Sequence, residues 1–119
     1  MKELVVILKP EKLEVLKLLV DELHGGGMTV SSVMGYGTQK GASEHSAEKS
    51  VDIAGSQTVI SLLPKIKASI VIDDDQVEDM IAAIREQVPS GHWGDGKIFI
   101  YDVLDAVRVR TGERGSKAL

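Results

Sequence analysis

Apolar and polar residues alternate along the chain in blocks that fix the order of its elements before any motif is considered. Leu4-Val5-Val6-Ile7-Leu8 is an unbroken aliphatic run stopped by Pro10, the pattern of a buried strand. Between Glu11 and His24 the apolar residues Leu13, Leu16, Val20 and Leu23 recur at helical spacing. Pro10 suits the first turn of that helix, and Gly25-Gly26-Gly27 ends it. Residues 28–36 read as a second strand and residues 58–72 as a third. Asp73-Asp74-Asp75 stands where a helix would be capped, and Val77, Met80, Ile81 and Ile84 mark its buried face until Pro89. A fourth strand is expected over 97–103 and a short fifth over 106–110. Residues 41–57 are small, polar and without period, which predicts a long exposed loop.

The order βαββαβ specifies an α+β, ferredoxin-like sandwich, with two helices on one face of an antiparallel sheet. Val5, Ile7, Ile70, Ile72, Ile98 and Ile100 offer more apolar positions than one helical layer hides, so self-association is expected to cover the second face. At 119 residues the chain has room for one domain, 1–119. Aromatic residues make up only 3% against 43% hydrophobic overall, so the core must be aliphatic.

Charge and composition narrow the chemistry. A formal charge of −4 argues against nucleic-acid binding across a general basic face, and positive charge must act locally. Without cysteine there are no disulfides, thiolate metal sites or thiol nucleophiles, which fits a cytoplasmic setting. No apolar run approaches the roughly 20 residues that span a bilayer, and Lys2-Glu3 leads straight into a strand rather than a signal sequence. Neither membrane insertion nor nucleic acid is expected.

Two glycine-rich stretches carry the candidate chemistry: Gly35-Tyr36-Gly37-Thr38-Gln39-Lys40-Gly41 and Gly91-His92-Trp93-Gly94-Asp95-Gly96-Lys97. Glycine lets backbone N–H groups approach an anion, and Lys97, Arg108 and Arg110 supply the charge a polyphosphate requires. Gly91 to Lys97 nearly has the P-loop spacing, but Ile98 stands where a magnesium-binding Ser or Thr belongs, and Ile98-Phe99-Ile100-Tyr101 continues as a strand rather than a helix. Gly35 to Gly41 fails the dinucleotide fingerprint, with its third glycine one position late and no helix after it. Arg108 and Arg110, alternating with Val107 and Val109 on a strand, would project their guanidiniums from one face about 7 Å apart. The alternative is a solvated edge that discourages aggregation. His24, His45 and His92 lack metal-ligand spacing, and no nucleophile–base arrangement is present, so no catalytic residue is assigned.

Together with Gly27-Met28-Thr29-Val30, Leu63-Pro64-Lys65-Ile66-Lys67 and Arg108-Val109-Arg110-Thr111-Gly112-Glu113, these stretches resemble the PII family of nitrogen regulatory signal proteins over nearly the whole chain. The resemblance implies a homotrimer that binds adenine nucleotides (ATP, ADP or AMP) in clefts between subunits and regulates a transporter or enzyme through a T-loop at about 37–57. It implies a sensor in nitrogen regulation, not an enzyme. It also implies a B-loop at about 89–97 and a C-terminal strand and tail at 106–119. By position, Ile7, Thr29, Gly35, Gly37 and Val71 would line the nucleotide, with Thr29 near the adenine or ribose. Gly94, Asp95, Gly96 and Lys97 would wrap its phosphates, joined by Arg108 and Arg110. Gln39 and Lys65 match the positions that hold magnesium and the carboxylates of 2-oxoglutarate.

Two departures from the family pattern stand out. Thr38 replaces the usual Arg, and losing one charge-assisted contact of roughly 1.5–3 kcal/mol, about ten- to a hundredfold in affinity, should weaken preference for a triphosphate over ADP or AMP. The segment between Gly41 and Leu63 is longer than usual and holds no Tyr or Arg, so neither uridylylation nor an arginine plug for a channel carries over. Ser43, Ser46 and Ser50 remain as sites for modification or as plain linker. Two other readings compete: a CutA-like trimeric metal-binding or structural protein, and slow ATP hydrolysis with Asp95 as its acidic group.

Overall fold

The computed structural model describes residues 1–23, 26–39, 59–92 and 94–119. Strand β1 (Lys2–Leu8) leads through a 3₁₀ turn (Pro10–Lys12) into helix α1 (Leu13–Leu23). The long strands β2 (Thr29–Gln39) and β3 (Val59–Ile72) follow, then a second 3₁₀ turn (Asp74–Gln76), helix α2 (Val77–Gln87) and β4 (Lys97–Asp102). The sheet order is β2-β3-β1-β4 with every pair antiparallel, which is the ferredoxin-like arrangement read from the sequence. Among the described residues no helix is long and apolar enough to cross a membrane.

Register explains which residues make the core. Leu4 pairs with Ile70 and Ile100, Val6 with Ala68 and Ile98, and Leu8 with Ile66. Because side chains alternate between faces, these rows all point to the helix side. There all but Ile100, which is half exposed on the edge strand, meet Leu16, Leu19 and Val20 of α1 and Val77, Met80 and Ile84 of α2 in one apolar cluster, with Ile98 packed against its margin. The buried stripe of α1 is therefore Leu16, Leu19 and Val20, one step round from the expected one, and Leu23 is left exposed.

The opposite face carries the rows Glu3–Val71–Tyr101, Val5–Ser69–Phe99 and Ile7–Lys67–Lys97. Ile70 and Ile72, counted from the sequence among the surplus apolar positions, are in fact fully buried under the helices. Surplus apolar surface on the uncovered face comes instead from the half-buried Ile7 and Val71 with the exposed rings of Phe99 and Tyr101, while Val5 on that face is already buried.

Three local expectations need correction. Residues 106–110 do not form a strand: they make one side of a tight return, with a single bridge between Val107 and Arg114 and glycines at positive φ at 112 and 115. The guanidiniums of Arg108 and Arg110 are therefore not set by strand alternation. The Asp73 side chain makes no capping bond; it accepts from the Ser116 hydroxyl, while Asp74 pairs with the N-terminal ammonium 3.1 Å away. Finally, β2 runs on through Gly37, Thr38 and Gln39, paired with Ser61, Ile60 and Val59, so the first three residues assigned to the T-loop are strand. The rest of that loop, and Trp93 in the B-loop, lie outside the described residues.

Candidate functional site

The glycine-rich turn before β4 is built on an acidic pin. Asp95 accepts hydrogen bonds from the Ser90 hydroxyl (2.6 Å) and from the amides of Ser90 and Gly91 (3.0 Å each). Lys9, just past the end of β1, reaches the same carboxylate at 3.5 Å. The Ser90 hydroxyl, then the two amides and Lys9, outweigh partial desolvation and hold the Asp95 carboxyl down at about 2. A carboxylate so fully engaged closes the turn; it is a poor proton acceptor.

Gly96 fixes the turn to the sheet. Its φ is +120°, and a β-carbon there would lie 1.8 Å from the Ile7 carbonyl oxygen. Only glycine permits this approach. The next residue, Lys97, pairs with Ile7, so the loop, the end of β1 and the Lys97 ammonium form one unit. The amides of Gly94, Asp95 and Gly96 carry no hydrogen bond to another described residue, and Lys97 makes no ion pair among them. Free donors beside an unpaired cation are what an anion needs.

Lys65 joins this unit from β3. Its ammonium donates to the Gly94 carbonyl at 2.7 Å, and its stem packs under Gly35, where a β-carbon would come 3.0 Å from Lys65 Cγ. Burial, with Lys9 nearby, lowers the Lys65 pKa against the opposing pull of Glu11 and Asp95. Behind the loop, a cleft of about 340 Å³ lies between α2 and the β1–β4 edge, lined by Ile81, Arg85, Pro89, Ile98 and Ile100 as well as Gly96 and Lys97.

The structure thus brings together Ile7, Gly35, Lys65, Gly94, Asp95, Gly96 and Lys97 at one end of the sheet. Gly37, Thr38 and Gln39 continue β2 beyond that end; the side chains of Thr38 and Gln39 lie outside the description. Thr29 pairs with Ser69, further back along the sheet. Val71 pairs with Glu3, four positions from Ile7 or roughly 14 Å along the strand.

Arg108 and Arg110 belong to the other end. Val103 N–H donates to the Met1 carbonyl, Gly115 N–H to the Ala106 carbonyl, and Ser116 to Asp73 just past β3. These bonds hold the return containing both arginines where β1 begins, while Lys97 lies where β1 ends. Lys2 to Ile7 spans roughly 17 Å, so the two cationic groups of one chain face different neighbourhoods. Sequence reasoning missed Lys9 and Ser90, which hold Asp95; the only signal was their position, one beside Pro10 and the other just after Pro89. Among the described residues there is no group of three or more His, Asp or Glu able to hold a metal ion.

Comparison with known proteins agrees with this architecture. The family profile described as Nitrogen regulatory protein P-II matches residues 1–113. The chain is 41% identical to the Nitrogen regulatory protein P-II of Rhodospirillum rubrum, and 40% to that of Pasteurella multocida, over 100% of both sequences in each case. Among solved structures it resembles Arabidopsis thaliana PII bound to citrate (TM-score 0.75, 33% identity, 99% of this chain and 91% of that one). It also resembles the GlnK–ATP complex of B. subtilis (TM-score 0.77, 25% identity, 99% and 96%).

Proposed function

The chain belongs to the P-II family of nitrogen regulatory proteins, whose members are signal-transduction regulators and not enzymes, and on that premise we propose that it senses adenine nucleotides at a site shared between subunits. The observation that carries this reading is the separation of its cations. Lys97 and the amides of 94–96, which make no hydrogen bond to another described residue, lie at one end of the sheet, Arg108, Arg110 and Val71 at the other. A polyphosphate needs both groups, and a second copy of the chain brings them together. The uncovered sheet face, with Phe99 and Tyr101 exposed, supplies apolar surface for that assembly, for which a homotrimer is the reading.

In this site Ile7, Gly35 and Gly37 line the ligand from one protomer, with the backbone of 94–97 and the Lys97 ammonium at its phosphates. Thr29 and Val71 frame the base from the neighbour, whose Arg108 and Arg110 reach the phosphates. ATP, ADP and AMP are the ligands considered, with Thr38 favouring the shorter ones. Gln39 offers a hard amide oxygen for magnesium held with the nucleotide and 2-oxoglutarate. Lys65 offers its ammonium to the keto acid's carboxylate. The protein acts in the cytoplasm, where the loop beyond Gln39 carries the signal to a transporter or an enzyme. Relatives solved with ATP and with citrate support an anion site on this fold. The CutA-like metal-binding reading is set aside, because the family profile and full-length relatives all point to P-II. Asp95, committed to its turn, gives the hydrolysis reading no free base.

Titration calorimetry with ATP, ADP and AMP tests the proposal. Binding below millimolar by at least one of them, weakened about ten- to a hundredfold in Lys97→Ala and in Arg110→Ala, is expected. Absence of binding by all three contradicts it.

A further inference from the structure

Of the three cations assigned to the phosphates, Arg108 differs from Lys97 and Arg110 in already having an anion among the described residues. One guanidinium nitrogen donates to Glu113 at 3.3 Å and the other to the Leu119 main-chain oxygen at 3.1 Å. The Glu113 carboxylate is oriented for this by the Thr111 hydroxyl at 2.9 Å, and the backbone closes the loop: Arg108 N–H donates to the Glu113 carbonyl, Gly112 N–H to the Arg108 carbonyl. A second anchor lies outside the loop. Arg114 grips the Asp105 carboxylate through two nitrogens at 2.9 and 2.6 Å, and the Gly115 amide joins them at 3.2 Å. Arg110, two residues along, makes no ion pair with a described residue and is exposed.

We propose that Glu113 is an internal competitor for Arg108: the return segment 111–119 takes one donor from each terminal nitrogen of the guanidinium, and an anionic ligand that takes this fork bidentately must displace them. This rests on the nucleotide reading above and adds a regulator to it. Oxygen acceptors from a carboxylate and a main-chain carbonyl occupy the fork that a phosphate would take bidentately. The pair is partly exposed, 37% for Arg108 and 43% for Glu113, so water screens it and the ligand can break it. Affinity is thereby set below what the bare cations would give, and any partner or modification that lifts 111–119 raises it.

The test is ADP calorimetry on the full chain. Glu113→Gln keeps the shape and removes the charge. An exposed ion pair is worth a factor of about two to five in affinity, so ADP binding should tighten by that much. Asp105→Asn, which loosens the second anchor and touches no proposed ligand contact, should act in the same direction and covers the case in which Glu113→Gln folds poorly. In an Arg108→Ala background both gains should vanish. Unchanged or weaker binding in both variants, with the unsubstituted protein binding ADP, overturns the competitor; so does a gain that persists without Arg108, which would mark a general charge effect. No ADP binding by any of these proteins instead sinks the nucleotide reading, and the competitor goes with it.

Discussion

Replacing Gly96 by Ala puts a methyl group where the structure has no room for one. The β-carbon would stand 1.8 Å from the Ile7 carbonyl oxygen, 2.9 Å from its carbon and 3.3 Å from Leu8 Cα. A carbon–oxygen contact needs roughly 3.3 Å, so the chain must shift by more than an ångström. Strand β1 cannot give way, because it is paired on both sides, to β3 and to β4. The loop must move instead, costing about 1–3 kcal/mol for a side chain at φ +120°. Peeling Lys97 from Ile7 adds about 1 kcal/mol for a lost ladder bond. The sum, about 2–4 kcal/mol, is a large share of the roughly 6–18 kcal/mol expected for a chain of this size.

Thermal unfolding followed by far-UV circular dichroism should show a fall of about 8–20 °C, taking roughly 4–5 °C per kcal/mol. Two controls isolate the cause. Gly91→Ala, at φ +82° with open space around it, should cost about 1–2 kcal/mol from backbone strain alone. Gly37→Ala, in strand β2 with nothing within 4 Å and no positive φ, should be neutral or slightly stabilising. A melting temperature for Gly96→Ala within about 3 °C of the unsubstituted protein, or no lower than that of Gly91→Ala, refutes the close approach of loop and strand.

The other predictions concern charge and packing. Asp95 has a folded pKa of about 2 against an ordinary 3.8, so the stability it contributes is present above the ordinary value and is lost as pH falls from about 4 to 2. Discounted for solvent, that amounts to about 1 kcal/mol, and acid titration of stability should lose this component in Asp95→Asn. Lys65→Met, which keeps the stem under Gly35 and removes the ammonium, should change the melting temperature by only a few degrees, since water can replace it at the exposed Gly94 carbonyl; 2-oxoglutarate binding measured by calorimetry with nucleotide present should be lost. Leu16→Ala, at a fully buried position facing α2 and the sheet, should cost about 2–5 kcal/mol in urea unfolding without altering the end of the sheet that holds Lys97.

Much of the fold was legible because its elements depend on local pattern. The aliphatic run of β1, the helical spacing of Val77, Met80 and Ile84, and the stops at Pro10 and Pro89 each act within a few residues, and the order β1, α1, β2, β3, α2, β4 matches what such local patterns give. What escaped the sequence depends on contacts distant along the chain. Arg108 and Arg110 have the alternation of a strand, yet among the described residues their segment is paired only through the bridge from Val107 to Arg114, and glycines at 112 and 115 turn the chain back instead. Asp73 and Asp74 look like helix caps, but Ser116 and the N-terminus claim their carboxylates. The glycines of the loop before β4 were visible as a motif; that Gly96 presses on Ile7, and that Lys9 and Ser90 hold Asp95, became visible only once β1 and β4 lay side by side. The separation of Lys97 from the arginines is likewise a property of strand direction, which spacing alone does not give.

A crystal structure of the full chain grown with ADP tests the shared site most directly. It should show closed assemblies in which the diphosphate of each ligand meets the backbone of 94–97 and Lys97 of one protomer and Arg110 of the next. Monomers, or assemblies whose intersubunit clefts stay free of ADP at millimolar concentration, would contradict it.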